Sequence, residues 1–258
     1  MRRLVQKRTL RWSEGVCIIE GPDLVRSAIE TGQEFEALYV DSESAAAVSD
    51  IVNLATQHGI RVFHLAPGVL EKVADSQSPQ PVMGAVRFTP RAVSDLQARG
   101  TVVVIHHGRD PGNVGTIIRT ASAFGATGVI LTGQCVDPYN PKTLRATAGM
   151  IFHIPVVVND SLPDVLEWFQ AGGGATYATV VRDGTPVSRL PLGGDALLVM
   201  GNESEGLSDD DAALCHERLT IPMPGGTESL NVSVAAGLVL YEAMNQRAAQ
   251  NVAGHAVG

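Results

Sequence analysis

Short apolar runs alternate with stretches of helical periodicity through the second half of the chain, from Thr101 onwards. Several runs are apolar at consecutive positions, as strands are when both faces of a parallel sheet are covered. A strand–helix–strand rhythm predicts an α/β fold with a mostly parallel sheet, and ligand sites in such sheets form at the carboxyl ends of the strands. The predicted strands are Thr101–Ile105, Val129–Leu131, Ile154–Val158, Tyr177–Val181, Ala196–Met200 and Leu219–Ile221.

The first part of the chain repeats this rhythm on a smaller scale. Helices are predicted after Pro22, a residue that suits a first helical turn, and over Ala45–Gln57. We therefore predict two domains, residues 1–92 and residues 93–258, joined near the Pro90–Gly100 connection. The strands predicted for the first domain are Val16–Glu20, Ala37–Val40, Arg61–Leu65 and Val82–Phe88.

Composition limits the class of protein. The 258 residues are 45% hydrophobic and 18% charged, which is typical of a soluble globular protein. There is no apolar run long enough to span a membrane and no secretory signal. Three cysteines without metal-ligand spacing favour a reducing cytoplasm and no metal site. The net charge of −8 means that any contact with nucleic acid must come from local basic patches.

Three polar or glycine-rich segments follow predicted strands. The first, DPGNVGTIIR over residues 110–119, is a Pro-Gly turn followed by a helix that carries one arginine. The second, GNESEG, begins where the Ala196–Met200 strand ends. The third, IPMPGGTESLNVSVA, is a proline- and glycine-rich loop in which Ser229 and Asn231 precede a helix. Such a capped helix can equally be an ordinary core helix.

These segments carry a family resemblance. NVGTIIRTA, GNESEGLS and PMPGGTESLNVSVA match, in order and spacing, the signature motifs of the SpoU (TrmH-like) RNA ribose 2′-O-methyltransferases of the SPOUT superfamily. IIEGPDLVRSAI and SPQPVMGAV resemble the domain that often precedes the catalytic one. The resemblance implies a SPOUT-type sheet with a deep trefoil knot, preceded by a small ribosomal-protein-like α/β domain that binds substrate. It also implies S-adenosylmethionine as cofactor and a homodimer with the site completed near the subunit interface.

The motif residues have chemical roles under this resemblance. Methyl transfer to a hydroxyl needs alignment of donor and acceptor and help in removing a proton, and it needs no metal. Arg119 matches the arginine of the first motif, and because arginine stays protonated an electrostatic role is easier to defend than a base. Asn113 is also predicted to cap a helix over Val114–Phe124. The expected catalytic residues are Arg119, Asn113, Glu203, Ser229 and Asn231.

Each of these residues has a simpler alternative. Arg119 can be a surface cation, Glu203 a solvated loop acid, and Ser229 and Asn231 helix caps only. The expected cofactor contacts are Gly201, Ile221 and Leu230, with Thr132, Gly133, Asn202 and Met223 as neighbours.

Basic residues near the start of the chain are candidates for RNA contact. They include Arg8 and Arg11, and Arg145 is a further candidate for gripping a phosphate. A solvated tail and a plain surface arginine remain alternatives. His106 and His107 are expected to be structural, because neighbouring strand residues point to opposite faces and cannot easily serve one ligand.

The function predicted is methylation of an RNA ribose 2′-hydroxyl, with ribosomal RNA favoured over transfer RNA because family members with the extra domain more often act on it. A transfer RNA 2′-O-methyltransferase and a catalytically silent RNA-binding protein of the same fold stay open. A nucleotide-dependent oxidoreductase is disfavoured, because no Gly-x-Gly-x-x-Gly turn follows a first strand.

Overall fold

The computed structural model describes residues 1–75 and 78–255, with side chains to residue 250. The helices are α1 Arg2–Gln6, α2 Arg8–Glu14, α3 Pro22–Glu30, α4 Ser49–Gln57, α5 Pro111–Ala123, α6 Pro141–Thr147, α7 Leu162–Ala171, α8 Asp209–Ala213 and α9 Val232–His255. The strands are β1 Val16–Glu20, β2 Phe35–Asp41, β3 Val62–Leu65, β4 Val82–Arg87, β5 Thr101–His106, β6 Gly128–Thr132, β7 Val156–Asn159, β8 Ala175–Thr179, β9 Thr185–Pro186, β10 Ala196–Met200 and β11 Glu217–Thr220.

The chain forms two compact units. The first contains Met1–Pro90 together with Asp137–His153, and the second contains Arg91–Val136 and the chain from Ile154 onwards. The predicted division into residues 1–92 and 93–258 differs from these units chiefly in the segment Asp137–His153, which packs with the first unit. Nothing in the composition of this segment, DPYNPKTLRATAGMIFH, marks it as part of the first unit.

The first unit is built on a mixed sheet in the order β1-β4-β2-β3. β4 pairs antiparallel with β1 and β2, whereas β2 and β3 are parallel. Residues Arg2–Glu14, treated in the sequence as a basic tail, form α1 and α2 instead. Val5 of α1 is buried with Val16, Ile18 and Met83 of the sheet, so burial of an apolar side chain holds this short helix in place.

The second unit is built on a sheet in the order β7-β6-β5-β10-β8-β11-β9. All of its strand pairs are parallel, which confirms the predicted α/β fold with a parallel sheet. The central strands β5 and β10 are buried at every position, as their apolar runs over residues 102–105 and 196–200 predict. The strand predicted at Tyr177–Val181 ends at Thr179, and Val181 beyond it is 47% exposed.

The parallel arrangement brings the carboxyl ends of β5, β8, β10 and β11 to one edge of this sheet. The three motif segments follow β5, β10 and β11 at that edge. α5 and α9 then pack side by side, with the Phe124 and Tyr241 rings 5.8 Å apart. In the described part of the chain there is no helix long and apolar enough to cross a membrane.

Candidate cofactor-binding and methyl-transfer site

A cleft of about 180 Å³ opens at the carboxyl edge of the second unit's sheet. Its walls come from the ends of β8, β10 and β11 and from the start of α9, and they mix apolar side chains with backbone groups. Predicted site residues that line it are Gly201, Asn202, Glu203, Ile221, Met223, Ser229 and Leu230.

The loop after β10 folds back on itself at this cleft. The backbones of Asn202 and Gly206 exchange hydrogen bonds of 3.1 and 3.0 Å, and the Asn202 Oδ1 accepts from the Ser204 backbone N–H at 2.7 Å. A Cβ on Gly201 would lie 2.3 Å from the carbonyl carbon of Gly206, so only glycine allows this close approach. The loop therefore presents backbone groups, rather than a side chain, at the floor of the cleft.

A hydrogen-bonded network joins the three motif segments. The Asn113 Nδ2 donates to the Glu203 Oε1 at 3.3 Å, and the Asn231 Nδ2 donates to the Asn113 Oδ1 at 3.0 Å. Glu203 also accepts from the backbone N–H groups of Arg109 and Asp110, at 3.4 and 3.3 Å. A carboxylate at the start of α5 is favoured by the positive end of the helix dipole. Residues about ninety and a hundred and twenty positions apart thus meet, as the motifs predicted.

The N-cap of α5 differs from the prediction, whereas that of α9 agrees with it. Asn113 does not cap α5, which begins at Pro111, and its N-cap is Asp110, whose Oδ1 accepts from the Asn113 N–H at 2.8 Å. Proline at the first helical position moves the start upstream. The Asn113 side chain is consequently available for Asn231. Asn231 does cap α9, because its Oδ1 accepts from the Ser233 backbone N–H at 2.8 Å.

Five of the predicted catalytic and cofactor-binding residues do not line the cleft. Asn113 and Asn231 belong to the network beside it, and Arg119, Thr132 and Gly133 lie elsewhere. Arg119 is exposed on α5 and makes no side-chain hydrogen bond or ion pair within the described ranges. Thr132 is fully buried at the end of β6, where its hydroxyl pairs with the His106 Nδ1 at 2.8 Å. Gly133 follows in a left-handed conformation, with φ of 66° and the His107 ring against it. Thr132 and Gly133 thus contact His106 and His107, which precede the first motif segment.

His106 and His107 do not point to opposite faces, contrary to the prediction. β5 ends at His106, and His107 takes a positive φ of 56°, so the two ring centroids lie 4.0 Å apart. The pKa of His106 is lowered mainly by burial and further by the neighbouring His107. Asp211, which lies 3.5 Å from the His106 Nε2, acts in the opposite direction but does not outweigh them. In the described ranges, no group of three or more His, Cys, Asp or Glu residues is arranged to hold a metal ion.

The cysteines are inert by environment. Burial raises the pKa of Cys17 and Cys215 to about 12 and that of Cys135 to about 11. None of these thiols ionises near neutral pH, and none is in a disulfide. A thiolate nucleophile is therefore absent from these three positions.

The predicted RNA-binding arginines of the first unit differ sharply in exposure. Arg11 is only 2% exposed and pairs with Asp137, with Nε and Nη2 at 2.8 and 2.6 Å from its Oδ2. The prediction that Arg11 contacts RNA is corrected, because a buried guanidinium cannot reach a ligand. Arg145 is partly exposed and pairs with Glu20 at 2.9 Å. Arg8 is exposed beside the Trp12 ring.

Sequence reasoning missed several cleft residues. Thr179, Val180 and Val181, at the exit of β8, line the cleft although no motif contains them. The signal was present, because β8 is a buried strand whose carboxyl end must reach the same edge as β10 in a parallel sheet. Asp110 was missed as the cap, although an acid directly before a proline is typical of a helix start.

Comparison with known proteins places the chain in a family. The profile of the SpoU rRNA Methylase family matches residues 100–241, and that of the MRM3-like substrate binding domain matches residues 1–84. The 23S rRNA (guanosine(2553)-2′-O)-methyltransferase RlmP of Bacillus subtilis is 35% identical over 227 residues, covering 87% of this chain and 86% of its own. The 23S rRNA (uridine(2479)-2′-O)-methyltransferase of Streptomyces viridochromogenes is 30% identical, with 95% and 88% covered.

Solved structures agree. The SpoU methyltransferase AviRb from Streptomyces viridochromogenes, in complex with AdoMet, superposes with a TM-score of 0.86 at 29% identity and covers 95% of this chain and 96% of its own. An AdoMet-bound rRNA methyltransferase from Sinorhizobium meliloti gives a TM-score of 0.83 at 31% identity, covering 95% and 92%.

The fold and the joined motif segments thus define the class as an α/β methyltransferase. The chain belongs to the SpoU rRNA methylase family, and the predicted resemblance is confirmed. The predictions of an RNA ribose 2′-O-methyltransferase and of S-adenosylmethionine as its cofactor are confirmed with it.

Proposed function

We propose that this protein methylates a ribose 2′-hydroxyl of ribosomal RNA, with S-adenosylmethionine as methyl donor. The observation that carries the proposal is the Asn113–Glu203–Asn231 network beside a cleft at the carboxyl edge of a parallel sheet. Ribosomal RNA is favoured because full-length relatives are named as 23S rRNA enzymes. A structure described by 2-OH methylation of C/U34 on tRNA matches only 58% of this chain.

The cleft suits the cofactor. Gly201, with no room for a Cβ, lets backbone groups approach an adenine edge, and Ile221 and Leu230 supply apolar walls. Asn202 and Met223 complete the cofactor contacts that we propose. Thr132 and Gly133 support the turn at His106 and His107, next to the first motif segment. Bound there, the cofactor supplies an activated methyl group. Glu203 and Glu205 at the rim are complementary to its positive charge.

The catalytic residues act mainly by positioning. Asn113, Glu203 and Asn231 hold the three motif segments in register, and Ser229 lies on the cleft wall beside them. Arg119, which we propose as the electrostatic group, holds an RNA phosphate or stabilises negative charge on the reacting oxygen. Its exposed place on α5 leaves it free to meet RNA.

We propose that the first unit supplies RNA contacts. Residues 1–92 form the predicted substrate-binding domain. Exposed cations on α1, on α2 and at the residue between them can pair with phosphates, and Arg145 can do so if it exchanges Glu20 for a phosphate. These cations are Arg2, Arg3, Lys7 and Arg8.

A homodimer, a deep trefoil knot and a likeness of the first domain to ribosomal proteins complete the proposal. The apolar stripe of Val234, Leu238 and Tyr241 on α9 is about half exposed, which supports a second copy as its cover. The knot and the ribosomal-protein likeness are supported by the family alone. Free thiols suit the reducing cytoplasm that was predicted.

Mapping 2′-O-methyl groups in ribosomal RNA from cells with and without this protein tests the function directly. We expect one ribose to lose its methyl group in the absence of the protein and to regain it in vitro with purified protein and labelled S-adenosylmethionine. A catalytically silent RNA-binding protein would leave the methyl map unchanged. If the methyl group that disappears without the protein belongs to a transfer RNA rather than to ribosomal RNA, the transfer RNA enzyme is favoured.

A further inference from the structure

An aromatic pair lies open to solvent on the sheet of the first unit. Phe63 on the edge strand β3 is paired in register with Tyr39 on β2, and their rings stack with centroids 5.6 Å apart and planes 20° apart. Tyr39 is partly buried against the core of the unit, whereas Phe63 is 45% exposed. Among the described residues, Phe63 is the one large exposed apolar side chain of the first unit.

Four charged side chains surround this pair. Arg87 binds both acids of the group, with its Nη2 2.6 Å from the Glu36 Oε1 and its Nε 3.3 Å from the Glu34 Oε1. Arg61 donates to the backbone oxygen of Glu36 at 3.2 Å and has no ion pair within the described ranges. Two guanidinium groups and two carboxylates give a formal charge of zero. The set encloses an open groove of about 460 Å³ with Phe63 in its wall.

The chemistry of the groove indicates its ligand. An exposed aromatic ring on a sheet is a platform on which any nucleobase can stack. A site for the RNA backbone would be net positive, and this groove is neutral, so an uncharged group fits it better than a phosphate does. Guanidinium donors and carboxylate acceptors together match the mixed edge of a base. Duplex RNA hides the faces of its bases, so the base must be unpaired.

We propose that this groove binds one unpaired nucleobase of the RNA substrate, stacked on Phe63 and contacted at its edge by Arg61 and Glu36. The proposal rests on the proposed function, because it takes RNA as the substrate, and it adds a base-specific contact remote in sequence from the motif segments. A single exposed ring is too small a surface to hold a second copy of the chain, because stable protein–protein interfaces bury about 1,200–2,000 Å².

The test compares wild type with Phe63→Ala and Phe63→Trp on unmodified in vitro transcripts of 23S rRNA. We expect Phe63→Ala to raise the KM for RNA about tenfold, within the range for loss of one stacked base. The kcat and the affinity for S-adenosylmethionine should not change, because Phe63 belongs to the other unit. Phe63→Trp should restore the KM. Leu214→Ala, at an exposed apolar residue of the second unit, is the matched control and should behave as wild type.

Crosslinking gives an independent readout. A transcript containing 4-thiouridine, irradiated with wild-type protein, should attach to the peptide that contains β3, and Phe63→Ala should reduce that product. Equal urea midpoints for wild type and Phe63→Ala establish that folding is intact. An unchanged KM, or a Phe63→Trp protein as defective as Phe63→Ala, overturns the proposal.

Other occupants of the groove would leave different traces. If Phe63→Ala were defective only with assembled ribosomal subunits, a ribosomal protein would be the occupant of the groove. If the RNA-free Phe63→Ala protein differed from wild type in sedimentation coefficient, a second copy of the chain would be the occupant. Either result overturns the proposal. If wild type transfers no methyl group to any rRNA but still crosslinks through β3, the proposed function fails while the groove stands. If wild type and Phe63→Ala methylate rRNA equally well, the proposed function stands while the groove proposal fails.

Discussion

Arg11 and Arg119 look alike in sequence, as single cations on helices, but their environments are opposite. Arg11 is buried with Asp137, and its Nη1 also donates to the carbonyl oxygens of Leu4 and Val5 at 2.7 and 3.0 Å. It therefore satisfies the last carbonyls of α1 and joins that helix to the Asp137–His153 segment. Arg119 is exposed and unpaired in the described part of the chain. Removing one partner of a buried pair leaves the other charge uncompensated, whereas a free surface cation is available to a ligand.

Replacing Arg11 by Met tests its structural role. The change leaves the Asp137 carboxylate buried without its partner, for which the expected cost is about 3–5 kcal/mol of unfolding free energy. Urea denaturation followed by tryptophan fluorescence measures it, since the Trp12 Nε1 also donates to Asp137. Arg2→Met on the exposed surface is the control and should change stability little. Equal stability of the two variants would show the ion pair to be dispensable.

Replacing Arg119 by Ala tests the electrostatic role at the reacting ribose. We expect the rate of methyl transfer to fall by about 10²–10³, the effect of removing one preorganised charge-stabilising donor. Binding of S-adenosylmethionine, measured by calorimetry, should stay within about twofold, because Arg119 lies outside the cleft lining. Arg99→Ala, at another exposed arginine of the same unit, is the control. Cofactor affinity that falls as far as the rate would refute this assignment.

At the scale of elements, the strands were the most predictable feature. β1 and β10 were predicted with their observed bounds. β10 is a parallel strand that is apolar along its whole length, and β1, which pairs antiparallel with β4, is apolar up to Glu20 and buried at every position. The start of α5 was misplaced by the choice of Asn113 over Asp110, since both are good capping residues and only Pro111 distinguishes them. The reversal at His107 could not be predicted, because a positive φ at a histidine depends on the packing around it.

Order in space was beyond the sequence pattern. No periodicity indicates that β4 lies between β1 and β2, or that the Asp137–His153 segment joins the first unit. The cleft was predictable in part, because the second and third motifs contain the residues of its floor and of one wall. Val181, on the other wall, follows a strand whose neighbours in the sheet are known only from the folded structure. Arg11 was misassigned because charge alone cannot distinguish a buried cation from an exposed one.

The loop after β10 depends on one glycine, and Gly201→Ala tests it. The added Cβ would meet backbone atoms of Gly206 and Leu207 at 2.3–2.6 Å, which cannot move aside as a side chain can. The loop must open, and we expect the affinity for S-adenosylmethionine to fall on the order of tenfold or more. Gly194→Ala, where a Cβ meets nothing within 4 Å, is the matched control. Calorimetric titration of both variants decides; equal affinities would mean that the loop does not shape the cofactor site.

At the scale of the whole molecule, α5 and α9 present a shared surface to solvent. The two helices are in contact at Asn113 with Asn231 and at Phe124 with Tyr241, so they run in the same direction. Leu238 and Tyr241 are 45% and 51% exposed on α9, and Arg119 is exposed on α5. A second copy that covers the apolar stripe would therefore come close to Arg119. If the proposed homodimer forms through this stripe, Arg119 lies at the subunit interface rather than in its own chain's cleft.

Mixed dimers test whether one copy's Arg119 serves the other copy's cleft. Arg119→Ala and Glu203→Ala, each inactive alone, are co-expressed so that subunits pair at random. If the two residues of a working site come from different copies, half of the dimers are mixed and each has one intact site, so about a quarter of the wild-type sites are active. If both residues come from the same copy, no dimer contains an intact site. Adding Leu238→Asp to both chains should abolish the recovered activity and give monomers in analytical ultracentrifugation, because a charge on the apolar stripe cannot be buried unpaired.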